Sequence, residues 1–172
     1  MNDHVLNNVH ISDDLLTLSA EALTAAENVL LAARRAITKR VIIEGKVSSI
    51  AIDNEQFAVH GFAWLTTYVE GLKQIYLWAT RLEEAGELGE LEILILQSAF
   101  GEYLNQIVGG IAISQVEIVR PLDMGLSEAD LEPLSKGAAA RLRAAGNSTQ
   151  TRSRIAELIV NGEFGTLGLF DE

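Results

Sequence analysis

Glu102 is the side chain whose type and position best suit chemistry in this sequence. Its polar neighbours on adjacent helical turns are Gln97, Ser98, Asn105 and Gln106. A carboxylate in apolar surroundings needs hydrogen bonds or a basic partner, and Arg120 is a candidate for that partner. We favour a solvent-facing stripe of Gln97, Gly101 and Asn105, with Glu102 at its edge. The alternative is a buried polar network, at an interface.

His60 is the only histidine that falls within a predicted helix, next to Gly61 and one turn before Trp64. We interpret it as a helix-surface histidine with an ordinary hydrogen bond. The alternative is a small enzyme or ligand-binding bundle, in which His60, Trp64, Tyr68 and Glu102 surround a cavity.

The usual enzyme fingerprints do not occur. The sequence has no cysteine, which excludes disulfides, thiolate catalysis and zinc–sulfur sites. It also has no glycine-rich phosphate-binding motif and no histidine pair one helical turn apart, so we predict no metal site. Five carboxylates surround one predicted turn: Glu83, Glu84, Glu87, Glu90 and Glu92. We interpret them as a solvated corner, because general acid-base catalysis needs a desolvated carboxylate.

The formal charge of −11 makes nucleic acid and anionic membranes unfavourable partners. One basic cluster is formed by Arg34, Arg35, Lys39 and Arg40. We interpret it as the end of a helix, where the dipole attracts cations. The longest charge-free stretch, residues 103–116, has 14 residues, fewer than the ~18 that suggest a membrane span. Because the first residues lack the apolar core of a signal peptide, we predict a cytoplasmic protein.

The first predicted helix runs from Ser12, its N-cap, to about Val41. Its small and apolar residues alternate at spacings of three and four: Leu16, Ser19, Leu23, Ala26, Leu30, Ala33 and Ile37. This spacing is typical of a packing seam that a second helix can approach closely. We therefore predict that the seam is covered, either inside a bundle or by a second copy of the chain.

Residues 41–52 contain β-branched side chains around a Glu-Gly pair, which would permit a short hairpin. We favour a loop with an apolar anchor. The second helix is predicted to begin at Ser49, or at Asp53 with Gln56 in a capping box, and to end near Glu84. Its predicted core stripe is Phe57, Gly61, Trp64, Tyr68, Leu72, Ile75, Ala79 and Leu82, and a partial second stripe is Phe62, Val69 and Tyr76.

The third predicted helix extends from about Leu88 to Ile113 and is apolar nearly all round, so it should be the most buried element. Only a short turn separates it from the second helix, and the two should be antiparallel neighbours.

Two further helices follow. Ser127 begins a fourth helix, with Asp130 three residues on, and Gly146 ends it. A fifth begins at Ser148 or the residue after it, and Gly162 ends it.

These elements predict an all-α protein, an antiparallel helical bundle of about five helices, two of them long and central. The predicted boundaries are a flexible tail over residues 1–11, one bundle domain over residues 12–161 and a linker-like tail over residues 162–172. A chain of 172 residues is long enough to form one domain with its own core.

Three segments, AWLTTYVEGLKQ, LILQSAFGEYL and EIVRPLDMGL, resemble in order and spacing the amino-terminal helical extension of methylsuccinyl-CoA dehydrogenases, members of the acyl-CoA dehydrogenase superfamily. The resemblance covers the chain from about Ser12 to its end. It implies a full enzyme that uses FAD to oxidise (2S)-methylsuccinyl-CoA to mesaconyl-CoA in the ethylmalonyl-CoA pathway. It also implies that the flavin-bearing body lies outside these residues, so no cofactor is expected in this chain.

A fainter resemblance concerns the carboxy-terminal bundle of acyl-CoA dehydrogenases, through Gln106, Gly109, Gly110, Glu117, Arg120 and Asp123. In that family the glutamine and glycines approach the flavin of a neighbouring subunit, and the glutamate abstracts the α-proton. Here Val116 occupies the usual position of the base, and Glu117 follows one residue later. The resemblance therefore implies a shared bundle more than a shared site. It makes Glu117 a weak catalytic candidate and Gln106, Gly109 and Gly110 weak cofactor-binding candidates.

The leading hypothesis is a non-catalytic accessory domain that packs on an acyl-CoA dehydrogenase body, in cis or in trans, or supports homo-oligomerisation. The alternative is a free-standing helical interaction protein that dimerises through the seam of the first helix. The interface candidates are Trp64, Tyr68, Tyr76, Trp78, Glu102 and Arg120.

Overall fold

The computed structural model describes residues 14–166, and these form an all-α bundle. The helices are α1 (Leu15–Val41), α2 (Ser49–Asn54), α3 (Gln56–Ala85), α4 (Glu90–Gly109), α5 (Glu128–Leu131), α6 (Gly137–Ala145) and α7 (Thr149–Val160). The strands are β1 (Ile42–Ile43), β2 (Lys46–Val47), β3 (Ile111–Ala112) and β4 (Ile118–Val119), and 3-10 turns span Pro121–Met124 and Glu132–Ser135. The all-α prediction is confirmed, with more and shorter helices than expected.

Helix α1 packs against α3 and α6 and forms one side of the core. Of the seven predicted seam residues, Ser19, Leu23, Ala26, Ala33 and Ile37 are buried, whereas Leu16 and Leu30 are half-buried. The predicted seam is therefore largely covered within the chain. The predicted N-cap, Ser12, lies outside the described residues.

Helix α1 bears on the prediction that no segment is long and apolar enough to span a membrane. By length and composition, it is the one helix in residues 14–166 that could cross a membrane, and 39% of its most apolar window is buried inside the bundle. The longest charge-free stretch of the sequence lies outside α1, so that criterion did not identify this helix. Its buried alanine face is that of a core helix, because this face is already occupied by α3 and α6.

The segment after α1 forms a hairpin, so the preference for a loop was wrong. Strands β1 and β2 pair antiparallel around Glu44 and Gly45, whose φ angles are 50° and 78°. Positive φ at both central residues gives the turn that matches strand twist. Ser48 then caps α2 by accepting a hydrogen bond from the Ala51 amide. The capping box predicted at Asp53 does not form, because Asp53 lies within α2 and the helical conformation is interrupted at Glu55, just before α3.

The predicted core stripe of α3 is shifted by one residue in its first half. Its buried residues are Ala58, Gly61, Leu65, Val69, Leu72, Ala79 and Leu82. Leu65 and Val69 therefore occupy the core positions assigned to Trp64 and Tyr68, which are half-buried at the edge of the core. Phe57 is exposed.

Helix α4 lies antiparallel to α3, as shown by the contact of Tyr68 with Tyr103 on either side of the connecting turn. Its large side chains, including Leu96, Phe100 and Leu104, are fully buried. The helix ends at Gly109, four residues before the predicted Ile113, since β3 and β4 form a second hairpin that the sequence analysis missed.

The predicted fourth helix is divided into α5, a 3-10 turn and α6. Ser127 and Asp130 form the capping box at the start of α5, but Gly137 has a φ of 57°, and the chain changes direction there. The fifth helix is confirmed: Ser148 caps α7, which ends shortly before Gly162.

Candidate functional site

Four polar side chains connect α3, α4 and the α6–α7 corner, and we call them the Glu102 network. Tyr68 Oη donates a hydrogen bond to Gln106 Oε1 (2.6 Å), and Gln106 Nε2 donates to Glu102 Oε1 (2.6 Å). Asn147 Nδ2 donates to the other carboxylate oxygen, Glu102 Oε2 (2.7 Å). Both oxygens of the carboxylate are therefore held by amide donors, and three elements are fixed to one another.

The electrostatics of this network oppose a role in proton abstraction. The hydrogen bonds from Gln106 and Asn147 hold the pKa of the Glu102 carboxyl below its usual range, and the nearby Arg152 guanidinium lowers it further. Desolvation raises the pKa of the Tyr68 phenol, and Tyr103 and Glu102 raise it further. A carboxylate with a lowered pKa is a weaker base, and with hydrogen bonds on both oxygens Glu102 is better suited to joining the three elements than to proton abstraction.

The favoured interpretation of Glu102, a solvent-facing stripe beside it, is wrong for two of the three stripe residues, and only Asn105 is exposed. The stripe beside it is in contact with other elements, because Gln97 and Gly101 are buried against the α6–α7 corner. The proposed partner, Arg120, does not contact the carboxylate; the Arg120 amide donates to Asp123 in the 3-10 turn. The structure does contain a polar network, as in the alternative, but Glu102 is half-buried in it, and an interface there stays a prediction.

Two glycines set how closely α4 approaches the α6–α7 corner. A Cβ atom on Gly101 would lie 2.5 Å from the Asn147 amide nitrogen, and one on Gly146 would lie 2.8 Å from the Gly101 Cα. Beside this contact, the Gln97 side-chain amide donates to the Gly146 carbonyl (3.5 Å) and to Thr151 Oγ1 (3.4 Å). The close approach brings Asn147 within reach of Glu102.

An aromatic row follows the outer surface of α3 and reaches α4. The ring centroids of His60 and Trp64 lie 6.3 Å apart, those of Trp64 and Tyr68 6.4 Å, and those of Tyr68 and Tyr103 4.8 Å. Trp64 Nε1 donates a hydrogen bond to His60 Nε2 (3.0 Å), which leaves the proton of a neutral imidazole on Nδ1. This is the ordinary hydrogen bond that the sequence predicted for His60.

The other interface candidates lie elsewhere. Tyr76 and Trp78 are half-buried and pack against the main core, and Arg120 is exposed beside the second hairpin. The structure thus brings Tyr68 and Glu102 together, next to Trp64. Tyr76, Trp78 and Arg120 lie outside this group. A role for any of them at an interface stays a prediction.

The residues of the fainter resemblance do not converge. Gln106 belongs to the Glu102 network, whereas Glu117 is exposed in the loop of the second hairpin, where Ser114 Oγ donates to its carboxylate (3.4 Å). Glu117 lines an open groove of about 610 Å³ with His60 and Phe57 from α3. Gly110 has a φ of 126° and adjoins Ile118 of the hairpin. The groove that Glu117 lines includes none of Gln106, Gly109 and Gly110.

The carboxylates at the α3–α4 turn are not all solvated, so that interpretation also needs correction. Glu92 is buried, and its Oε1 accepts a hydrogen bond from the Thr166 amide (2.6 Å). Glu90 forms two hydrogen bonds with the Arg154 guanidinium, at 2.7 and 2.8 Å, which lower the pKa of its carboxyl. The α3–α4 turn is therefore bonded to α7 through Arg154 and to the segment after α7 through Thr166.

Sequence reasoning missed Asn147, Arg152 and Thr151 as parts of the site. Asn147 and Thr151 bond to side chains more than 40 residues away along the chain. Arg152 forms hydrogen bonds with Asn147 and lowers the pKa of the distant Glu102 carboxyl. No local spacing signals such contacts. The one available signal was the pair of small residues, Gly101 and Gly146, in two predicted helices.

Comparison with known proteins gives a partial match. No family model matches the chain. A (2S)-methylsuccinyl-CoA dehydrogenase from Cereibacter sphaeroides is 47% identical to it over 163 residues. The match covers 92% of this chain and 29% of that relative, so the chain spans less than a third of the relative's length. The resemblance expected from the three sequence segments is confirmed, and it concerns one part of a larger dehydrogenase.

Proposed function

We propose that this chain is a non-catalytic helical accessory domain of an acyl-CoA dehydrogenase that acts on methylsuccinyl-CoA. The observation that carries the proposal is the asymmetry of the match, which spans nearly all of this chain but 29% of the relative. The whole bundle then corresponds to one unit of a larger protein. The proposal includes a catalytic body as partner, FAD as the cofactor of that body, and a cytoplasmic location.

The carboxylates support a non-catalytic role. Acyl-CoA dehydrogenation needs a carboxylate over the substrate's α-carbon and a flavin ring on the opposite side, both held in position. Glu102 has both oxygens bonded to amides, and Glu90 is bonded to Arg154. Glu117 lies on an exposed hairpin loop in an open groove. None of these three carboxylates is held over an enclosed pocket.

The weak flavin-binding candidates do not fit that cofactor. Both polar ends of the Gln106 side chain are engaged, since it accepts from Tyr68 and donates to Glu102. The space above Gly110 is filled by Ile118 of the second hairpin, and Gly109 adjoins open space. Gln106 and Gly110 are thus already occupied by contacts within the bundle, and the proposal assigns the cofactor to the body.

A segment exchange tests the proposal. The matched segment of the Cereibacter sphaeroides dehydrogenase is replaced by this chain, and a second form of the enzyme lacks the segment altogether. We expect the chimera to keep its flavin and its turnover of methylsuccinyl-CoA, because the bundle replaces an equivalent unit. The shortened enzyme should lose thermal stability, specificity or turnover, and addition of this chain in trans should restore part of the loss.

The isolated chain provides the second half of the test. It should be colourless, with no absorbance in the flavin bands, and inert towards methylsuccinyl-CoA with an artificial electron acceptor. A yellow preparation whose turnover disappears in Glu117→Gln would contradict the non-catalytic role. A shortened enzyme that matches the intact one in stability, specificity and turnover would contradict the accessory role.

A further inference from the structure

The exposed apolar side chains are concentrated at one end of the bundle. Seven of the fourteen exposed large hydrophobic residues in the described part of the chain lie in residues 42–57 and 116–122, about a seventh of that part. We call these two segments the hairpin end. Its most exposed members are Ile50, Val116 and Leu122, at 73%, 90% and 78%. Soluble monomers rarely leave a large contiguous apolar area uncovered.

The two segments of the hairpin end lie together. Glu117 and Phe57 line the same groove. The Arg40 guanidinium forms an ion pair with Glu55 (3.0 Å) and donates to the Asp123 carbonyl (3.3 Å), so it joins the α2–α3 break to the 3-10 turn after β4. The Val119 side chain fills the space above Gly61 of α3. The exposed side chains therefore belong to one region of the surface.

The backbone of this region also has free edges. Each hairpin is a two-stranded sheet with strands of two residues. Two-stranded sheets are marginal without a covering element, and their outer edges carry unpaired amide and carbonyl groups. An apolar surface with open strand edges is suited to burial against another folded domain.

We propose that the hairpin end is the surface on which the catalytic body of the dehydrogenase docks. This inference rests on the proposed function and adds the location of the contact. The occupant follows from two observations. The relative carries, beyond the matched 29%, more than twice as much protein in the same polypeptide, and linked domains commonly bury about 600–1,500 Å² against each other. A second copy of this chain is disfavoured, because each copy carries a net charge of −11.

The hairpin end adjoins the aromatic row at His60, which lines the same groove as Glu117 and Phe57, but the two surfaces differ in exposure. The aromatic row rests on the Glu102 network through Tyr68; it is half-buried at Trp64 and Tyr68 and exposed at its ends, His60 and Tyr103. The hairpin end has larger exposed fractions. Docking at the hairpin end would bring the body next to the groove lined by Glu117, and it would leave the outer face of α1, including Leu31, in solvent.

Single-cysteine labelling tests the location, since the chain has no native cysteine. Ile50→Cys and Val116→Cys report on the hairpin end. Leu31→Cys on α1 and Ile159→Cys on α7 are matched controls, exposed by 48% and 46%. Each is prepared in the isolated chain and in the segment-exchange chimera, and maleimide labelling is followed by mass spectrometry of the peptide that carries the new cysteine.

Docking predicts that the chimera labels at the two hairpin positions about tenfold or more slowly than the isolated chain, whereas the two controls change by less than about twofold. Hydrogen exchange of the unsubstituted chain in both contexts measures the same protection without any variant. Slower exchange confined to residues 42–57 and 116–122 in the chimera would support the same conclusion.

Three results would overturn the inference. In the first, the chimera keeps its flavin and full turnover, but its two hairpin positions label as fast as they do in the isolated chain. This would place the contact elsewhere and leave the proposed function unaffected. Protection of the isolated chain that increases with its concentration would identify a second copy as the occupant. A chimera without flavin or turnover, in which all four positions label freely, would reject the docking and the accessory role together.

Discussion

Replacing one helical glycine by alanine should weaken this fold, and the same change at another should strengthen it. Gly101 in α4 is the first: its added Cβ would lie 2.5 Å from the Asn147 nitrogen and 2.8 Å from two Gly146 backbone atoms. Gly71 in the middle of α3 is the second, because its added Cβ would meet no atom within 4 Å. Neither has a positive φ, so the two changes differ mainly in the space available.

The expected magnitudes follow from that geometry. Ordinary contacts to a Cβ lie at 3.4–4 Å, so Gly101→Ala must move the α6–α7 backbone by about 1 Å, and such overpacking typically costs ~1–3 kcal/mol. The shift also weakens the Asn147 and Gln97 hydrogen bonds, each worth ~0.5–1.5 kcal/mol. Against this stands the ~0.8–1.0 kcal/mol by which alanine is favoured in a helix. We expect a net loss of about 2 kcal/mol for Gly101→Ala and a gain of ~0.5–1 kcal/mol for Gly71→Ala.

Urea denaturation followed by far-ultraviolet circular dichroism measures both free energies of unfolding. For a chain of this size, a loss of about 2 kcal/mol corresponds to a fall in Tm of ~4–8 °C. The slope of the transition should stay at the wild-type value, because the extent of the folded core is unchanged. A Gly101→Ala variant as stable as the wild-type chain, with an unchanged slope, would show that α4 does not meet the α6–α7 corner at this distance.

Three further predictions concern the core, the seam and the acid side of the stability curve. Leu104→Ala should reduce the free energy of unfolding by ~2–5 kcal/mol, because Leu104 is fully buried, and the more exposed Leu77→Ala should cost less than ~1 kcal/mol by the same urea titration. Ala33→Glu should prevent folding, since it places a charge in a covered seam, whereas Leu31→Glu should leave the circular dichroism spectrum and Tm nearly unchanged. Hydrogen bonds hold the pKa of the Glu102 carboxyl below its usual value, so its ionised form stabilises the fold above the unfolded-state pKa, and this contribution is lost as the pH falls through the folded-state pKa. Thermal melts should therefore show Glu102→Gln less stable than wild type near neutral pH, with the difference narrowing in acid; a constant difference would contradict this.

Local signals predicted three helix termini correctly. Ser127 with Asp130, and Ser148, cap helices at the expected places, because a cap is made within a few residues by side chains that compete for free amides. The C-terminal end of α3 at Gly86 has the left-handed conformation that glycine permits.

The phase of α3 was harder to predict, because Trp64 and Leu65 are both apolar and adjacent. Side-chain volume determines which of the two fills the core position. The core position next to α1 and α4 accepts Leu65, which is fully buried, and the larger indole lies at its edge with its N–H bonded to His60. A large aromatic with a polar atom is easier to satisfy at a boundary than in the middle of a core.

The Glu102 network and the hairpins depend on contacts between distant parts of the chain. The sequence identified Glu102 as a carboxylate that needs partners, but Asn147 is 45 positions away, and nothing in either local pattern joins them. For the first hairpin the sequence analysis favoured a loop, and the second was not predicted. Strands of two residues are too short to show the alternation of apolar and polar side chains that marks a strand.

Each segment that carries the family resemblance contributes buried residues to the core, and this limits what the resemblance can say about chemistry. AWLTTYVEGLKQ supplies the buried Leu65, Val69 and Leu72, and LILQSAFGEYL supplies the interior of α4. EIVRPLDMGL closes the second hairpin over α3 through Val119 and buries Met124 and Leu126. Core positions are constrained by packing density, so two chains that share them share a fold. The function of this bundle must then be carried by residues outside the core, and in residues 14–166 half of the exposed large apolar side chains lie at the hairpin end.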